Sequence, residues 1–349
     1  MKVLMVGPAR SVKGGISAVV NNYYSAGLDK QVEIKYIETM KDGSKFQKLI
    51  TAFLSFFEYY RALQEYPLVH IHLSSDKSLC RKIPFIILAK RKKKKLIIHQ
   101  HGGNFEDFYY RVCGKKARKF IAGVLEKADF LLVVAPHLQE IFAKIVTPNK
   151  IKLFPNAIWV PEEVTHDYTE KKLLFLGRLC KEKGINELLD ASVELKKEYP
   201  DLKLYLGGVW EEPGLKKKAD LYADWIVQLG WIGEQEKQKY LRECNIFVLP
   251  TYFEGLPVSL LEGMAYGCAC IATRVGSIPQ IMENNKEGLL INPKSKEELM
   301  AVISYYFENP MEQEKMGAKA EEKIRAGYEI KASVEKLIRL YSEVFVSLV

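Results

Sequence analysis

An α/β chain of two doubly wound parallel sheets is the fold class this sequence predicts, and three observations predict it. Apolar runs of four to seven residues alternate with longer amphipathic stretches along almost the whole chain, the pattern of βα units. The alternation runs through twice, once up to about residue 155 and again from Lys172. With 349 residues, the chain is long for one core and comfortable for two.

In the first half the runs at Val3–Val6, Val32–Ile37, Val69–Leu73, Leu96–His99, Phe130–Val134 and Ile151–Phe154 predict six strands. Amphipathic stretches predict helices around 15–27, 45–64, 80–91, 108–127 and 137–145. The second series reads LLFLGRL from Lys172, then LKLYLGG, DWIVQLG, NIFVLP, CACIAT and GLLINP. Helices are expected between these runs near 184–199, 234–243, 256–266 and 296–308. The tail 311–349 is helical by pattern, with Ile330, Val334, Leu337, Ile338 and Tyr341 on one stripe. The expected organisation is an N-terminal domain 1–165, a second domain 166–325, and a closing helix 326–349 that packs back on the first.

Composition narrows the function classes. Apolar residues make up 48% and charged residues 27%, the balance of a soluble globular protein. MKVLMVGPAR reads as a first strand rather than a signal peptide, and no apolar run reaches the eighteen residues that span a bilayer. Six cysteines without a C-x-x-C pair fit reduced thiols in a cytoplasmic protein. Residues 1–165 carry 27 Lys+Arg against 14 Asp+Glu, and residues 166–349 carry 25 against 29. The first half therefore suits a polyanionic surface or substrate. A nucleic acid is the weaker reading of that charge, because no helix-turn-helix cue, zinc-ligand set or RNP-type aromatic sequence accompanies it. Gly14-Gly15 is not a G-x-G-x-x-G fingerprint, which argues against a nicotinamide enzyme.

The chemistry concentrates in a few short segments. PTYFEGLPVSLLEGMAYGCAC, 250–270, sets Glu254 in a loop and Glu262 eight residues on, inside the following helix. Pro257 suits the first turn of that helix. The free N–H groups of the helix start, with Gly255, Leu256 and Val258 around it, suit phosphate or sugar hydroxyls. Arg178 and Lys183 lie in the loop after the first strand of the second series, where open α/β sheets bind ligands. They would neutralise a departing diphosphate. Gly14 and Gly15, followed by Ile16, open a helix after the first strand, so bare backbone can approach a diphosphate. His99 and His101 share a face of their strand, which invites a metal reading. No third or fourth ligand follows at sensible spacing, so no metal is expected, and His70 and His72 read as structural.

GGIS at 14–17, PN at 155–156, LGRLCKEKG at 176–184 and EGLPVSLLEGMAYG at 254–267 occur in this order, with VGSIPQI at 275–281 as a softer fifth piece. In these the chain resembles the retaining glycosyltransferases of family 4, most strongly over 170–292. The resemblance implies a GT-B fold, two Rossmann-like domains facing a central cleft, and a hexosyltransferase that uses a nucleotide-sugar, commonly uridine-linked, without metal or other cofactor. It implies that His101, followed by Gly102, bonds the donor sugar, that Glu254 holds sugar hydroxyls and that Glu262 accepts from the ribose. Arg178 and Lys183 would carry the leaving group, and Asn156, Trp231 and Ile232 would contribute to the donor site. Gly263 departs from the family's common Ala. A glycan acceptor, lipid-linked, is expected on the basic first domain, where 46–63 and 105–128 mix aromatic and basic residues beside RKKKK at 91–95. The enzyme is then expected on the cytoplasmic face of an anionic membrane, in cell-surface polysaccharide synthesis. An epimerase of the same fold, acting on the nucleotide-sugar alone, is the alternative.

Overall fold

The six apolar runs of the first half all form strands in the computed structural model, which describes residues 1–346. They are β1 (Lys2–Gly7), β2 (Glu33–Glu38), β3 (Leu68–Leu73), β4 (Lys95–Gln100), β5 (Phe130–Val133) and β6 (Ile151–Leu153). All pair in parallel, in the order β2-β1-β3-β4-β5-β6. β3 is buried throughout, as a strand covered on both faces must be. The second series gives β7 (Lys172–Leu176), β8 (Lys203–Gly207), β9 (Ile226–Gly230), β10 (Ile246–Leu249), β11 (Ala269–Thr273) and β12 (Gly288–Ile291). These form a second parallel sheet, β12-β11-β10-β7-β8-β9.

Each sheet reverses its winding once, between β1 and β3 in the first and between β7 and β10 in the second. At such a point the loops leaving two adjacent strands diverge, and a crevice opens at the strands' C-terminal ends. The segments after β1, β3, β7 and β10 are therefore the ones the topology offers to a ligand.

The chain divides into two units, one of Met1–Ala157 with Ile330–Val349, the other of Ile158–Glu329. The closing helix Ile330–Val346 belongs to the first unit, and residues 347–349 of the expected helix lie outside the described residues. Its stripe is buried at Ile330, Val334, Leu337 and Tyr341 and continues through Leu340 and Val344, while Ile338 is half-buried. Tyr341 reaches the sheet, its hydroxyl 2.7 Å from Nδ1 of His70.

Several helices differ from the sequence reading. The stretch 108–127 breaks into Phe105–Asp107, a wide turn Phe108–Val112 and the helix Lys115–Leu125, because Gly114 is extended. The tail is two helices, Pro310–Gly327 and Ile330–Val346, and Pro213–Asp220 and Ile278–Ile281 are additional. Lys45–Ala62 forms as expected, started by a capping box in which Ser44 and Gln47 bond each other's backbone.

Candidate active site

In the second unit the loops at the winding reversal are knitted together. Gly184 closes the loop after β7 in a left-handed conformation, φ 70°, and a Cβ there would lie 2.0 Å from the Pro250 carbonyl oxygen. That loop also accepts from the β10 side, where the Tyr252 N–H donates to the Glu182 carbonyl at 2.8 Å. On the other flank Gly276, φ 55°, leaves no room for a Cβ beside the Glu254 carbonyl. The Ser277 hydroxyl donates to the Gly255 carbonyl. Glu254 is thus held in a loop braced from both sides.

Within this frame the Lys183 ammonium bonds the Glu254 carboxylate, both side chains being mostly buried. The two residues come from opposite sides of the β7–β10 junction, so the predicted cation and the predicted sugar-binding carboxylate meet at the crevice. Arg178 is 2.8 Å from Glu211 and half-exposed. Gly255, Leu256 and Pro257 are buried, and the helix Val258–Ala265 begins one residue after Pro257, which caps it rather than entering its first turn. Trp231 is exposed and Ile232 half-buried after β9.

Glu262 is buried, and Lys237 meets its Oε1 at 2.5 Å. Burial raises the Glu262 carboxyl above its ordinary range, and the Lys237 charge works against that rise. Burial likewise opposes the Lys237 ammonium, but Glu262 and Glu234 more than offset it and its pKa is raised. Sequence reasoning did not find Lys237. It sits in EQEKQKYLRE, 234–243, a helix so polar that one lysine carries no distinguishing signal. Gly263 has a packing reason: a Cβ there would lie 2.6 Å from Cγ of Phe247, so the glycine accommodates that ring.

In the first unit, Gly14 and Gly15 start the helix Gly15–Ser25, and an added Cβ would meet nothing within 4 Å at either position. No protein neighbour demands these glycines. Ile16 is half-buried beside them. Gly102 is different: a Cβ there would lie 2.4 Å from the Ser74 hydroxyl, so its close approach to the segment after β3 accounts for it. His101 is held on both sides, its Nδ1 3.3 Å from Oδ1 of Asn156 and its Nε2 3.0 Å from Nδ1 of His72. A sugar hydroxyl can use His101 only by exchanging one of these bonds. Burial lowers the ring to about 4, so it is neutral near pH 7. His72, read as structural, is here a hydrogen-bond partner of His101.

Residues 160–323 match the family described as glycosyl transferases group 1. TuaC of Bacillus subtilis, named for teichuronic acid biosynthesis, is 26% identical over 264 residues, covering 69% of this chain and 61% of that protein. An N,N'-diacetylbacillosaminyl-diphospho-undecaprenol alpha-1,3-N-acetylgalactosaminyltransferase of Campylobacter jejuni is 28% identical over 208 residues, 57% of this chain and 54% of that protein. The fold is shared with the Anabaena protein HepE in complex with UDP-glucose, at a TM-score of 0.78 and 14% identity, covering 98% of this chain and 100% of that one.

Proposed function

We propose that this protein, whose residues 160–323 match the glycosyl transferases group 1 model in a chain with the GT-B fold, moves a hexose from a UDP-sugar to a lipid-linked glycan, with retention, in polysaccharide synthesis. The observation that carries the donor reading is the meeting of Lys183 and Glu254 at the winding reversal of the second sheet; a second buried pair, Glu262 with Lys237, lies in the same unit. The uridine preference draws on HepE, seen with UDP-glucose. The lipid-linked acceptor draws on the diphospho-undecaprenol substrate of the Campylobacter relative.

The residues divide the work by charge. Lys183 and Arg178 neutralise the diphosphate as the glycosidic bond breaks, and the negative phosphate replaces Glu254 and Glu211 as their partner. Glu254, released from Lys183, accepts from sugar hydroxyls, and Glu262 accepts from the ribose. In the first unit the roles proposed are phosphate contact for the Gly14 and Gly15 backbone and sugar contact for His101. With leaving-group stabilisation supplied this way, the leaving phosphate oxygen takes the acceptor proton, and no strong base or metal is required.

The acceptor reading rests on the helix Lys45–Ala62. Ile50, Phe53, Leu54, Phe57 and Tyr60 stand exposed at helical spacing along one face. Lys92 lies over the Tyr60 ring, 5.0 Å from its centroid, which ties the basic run 91–95 to that face. Nearby, a cavity of about 610 Å³ is lined by Ile87, Lys90, Arg91, Lys119, Phe120 and Lys127. An apolar stripe beside clustered cations suits the cytoplasmic face of an anionic bilayer. The second candidate stretch is split: Phe105, Phe108 and Tyr109 are core, whereas Val112 and Phe120 are exposed. The side chains of Phe46, Lys48 and Leu49 lie outside the described ones. Among the described residues no helix is long and apolar enough to cross a membrane.

The test is a panel of UDP- and GDP-sugars scored by thermal stabilisation, followed by turnover on a lipid-linked acceptor and the anomeric configuration of the product. One UDP-sugar should stabilise the wild type and be turned over, while Glu262→Ala binds it at least tenfold more weakly. Conversion of the nucleotide-sugar without acceptor, or undiminished donor affinity in the variant, would reject the assignment.

A further inference from the structure

β3 carries His70 and His72, and β4 carries His99 with His101 just past its end, so alternation puts these histidines on one face of the first sheet. Parallel register sets His72 against His99. Ring centroids lie 4.3 Å apart for His70 and His72, 4.0 Å for His99 and His101, and 5.2 Å for His72 and His99. Spacing along β4 alone shows no third ligand, but the neighbouring strand brings His70 and His72 beside His99.

We propose that His70, His72 and His99 form a buried site for one divalent transition-metal ion of the class that prefers imidazole, zinc being the reference case. One ring nitrogen of each lies within 4.8 Å of the other two, and all three side chains are fully buried. On His70 and His72 the other ring nitrogen is already bonded. Nδ1 of His70 meets the Tyr341 hydroxyl at 2.7 Å. Asn156 accepts at Nδ1 of His101, which leaves Nε2 of His101 to accept from Nδ1–H of His72 at 3.0 Å. Neither ring nitrogen of His99 has a hydrogen-bond partner among the described residues. Metal-binding histidines are oriented as His70 and His72 are, by an acceptor on the nitrogen that does not touch the ion.

What remains is Nε2 of His70, Nε2 of His72 and a nitrogen of His99, none with a hydrogen-bond partner among the described residues. Buried polar atoms are rarely left so. With the outer nitrogens protonated, these three are lone pairs, and a water molecule has only two protons to give them. A cation serves all three. Zinc–nitrogen bonds of about 2.0–2.1 Å place tetrahedral ligands about 3.4 Å apart, so the rings need to close by about an ångström. The Tyr23 hydroxyl, buried and also without a partner among the described residues, belongs to a ring 6.4 Å from that of His72 and is a candidate for a further ligand. Without a carboxylate or thiolate the site favours imidazole-seeking ions over calcium or magnesium. It is independent of the glycosyl-transfer reading.

The full chain, stripped with chelator, is titrated with Co²⁺ and with Zn²⁺. One Co²⁺ per chain should give visible ligand-field absorption, and Zn²⁺ should raise the melting temperature by a few degrees, saturably. His99→Phe, shown folded by circular dichroism, should lose both, while Cys80→Ala with Cys113→Ala should keep both. A wild type with neither absorption nor saturable stabilisation overturns the site and assigns the three nitrogens to water. So does a response that survives in folded His99→Phe. Should His99→Phe not fold, Cu²⁺ electron paramagnetic resonance of the wild type decides: coupling to two or more imidazole nitrogens supports the site, and its absence overturns it.

Discussion

Lys183 and Glu254 neutralise each other in this structure, and that pairing makes their substitution informative. Removing a cation that acts on developing charge lowers turnover more than binding, typically by about 10²–10³ for one well-placed donor. Lys183→Met is therefore expected to reduce kcat on that scale with a smaller change in donor affinity, and Lys183→Arg to recover part of it. A loss of donor affinity with kcat unchanged would place Lys183 in ground-state binding only. A second residue-scale expectation concerns Gly263. Gly263→Ala forces a methyl against Phe247, which costs about 1–3 kcal/mol. Urea unfolding should register that loss, and Phe247→Leu added to Gly263→Ala should restore most of it. Additive losses in the double variant would show that the ring is not the obstacle.

Strands were the most legible elements, because parallel strands buried on both faces read as unbroken apolar runs, and all twelve are where those runs lie. Helices were legible where polarity alternated, as at Glu234–Glu243 and Lys296–Glu308. They were missed where the segment was short and polar (Pro213–Asp220) or cut by one extended glycine, as at Gly114. The loop residues Arg178, Lys183 and Glu254 were legible from spacing and family likeness. Glu211, Lys237 and His72, the partners of Arg178, Glu262 and His101, were not, since each pairing is made across separate elements and no local pattern marks it. The helix Lys45–Ala62 carries its own prediction. Phe53→Glu with Phe57→Glu leaves the packed face untouched and should abolish flotation with vesicles containing anionic lipid, as should Lys92–Lys94 changed to Gln. Undiminished flotation in both variants, or none in the wild type, would remove the membrane from the account.

At the scale of the whole molecule, the second unit is a continuous segment and the first is not. Residues 158–329 expressed alone should unfold cooperatively and still bind UDP, because Arg178, Lys183, Glu254 and Glu262 all lie within them. Residues 1–157 alone should be insoluble, for want of the helix that buries Ile330, Val334, Leu337 and Tyr341 in the first unit, and joining residue 157 to residue 330 should rescue them. Proteolysis and calorimetry of the three products check this, and a soluble, cooperative 1–157 fragment would contradict it. The same discontinuity has a consequence for biosynthesis. A ribosome delivers the strands of the first sheet early but withholds Ile330–Val346 until the whole second unit has been made. The nascent first unit must wait, incomplete, while the segment behind it emerges and folds, so this enzyme's exposure to chaperones is set by the order in which its own chain is translated.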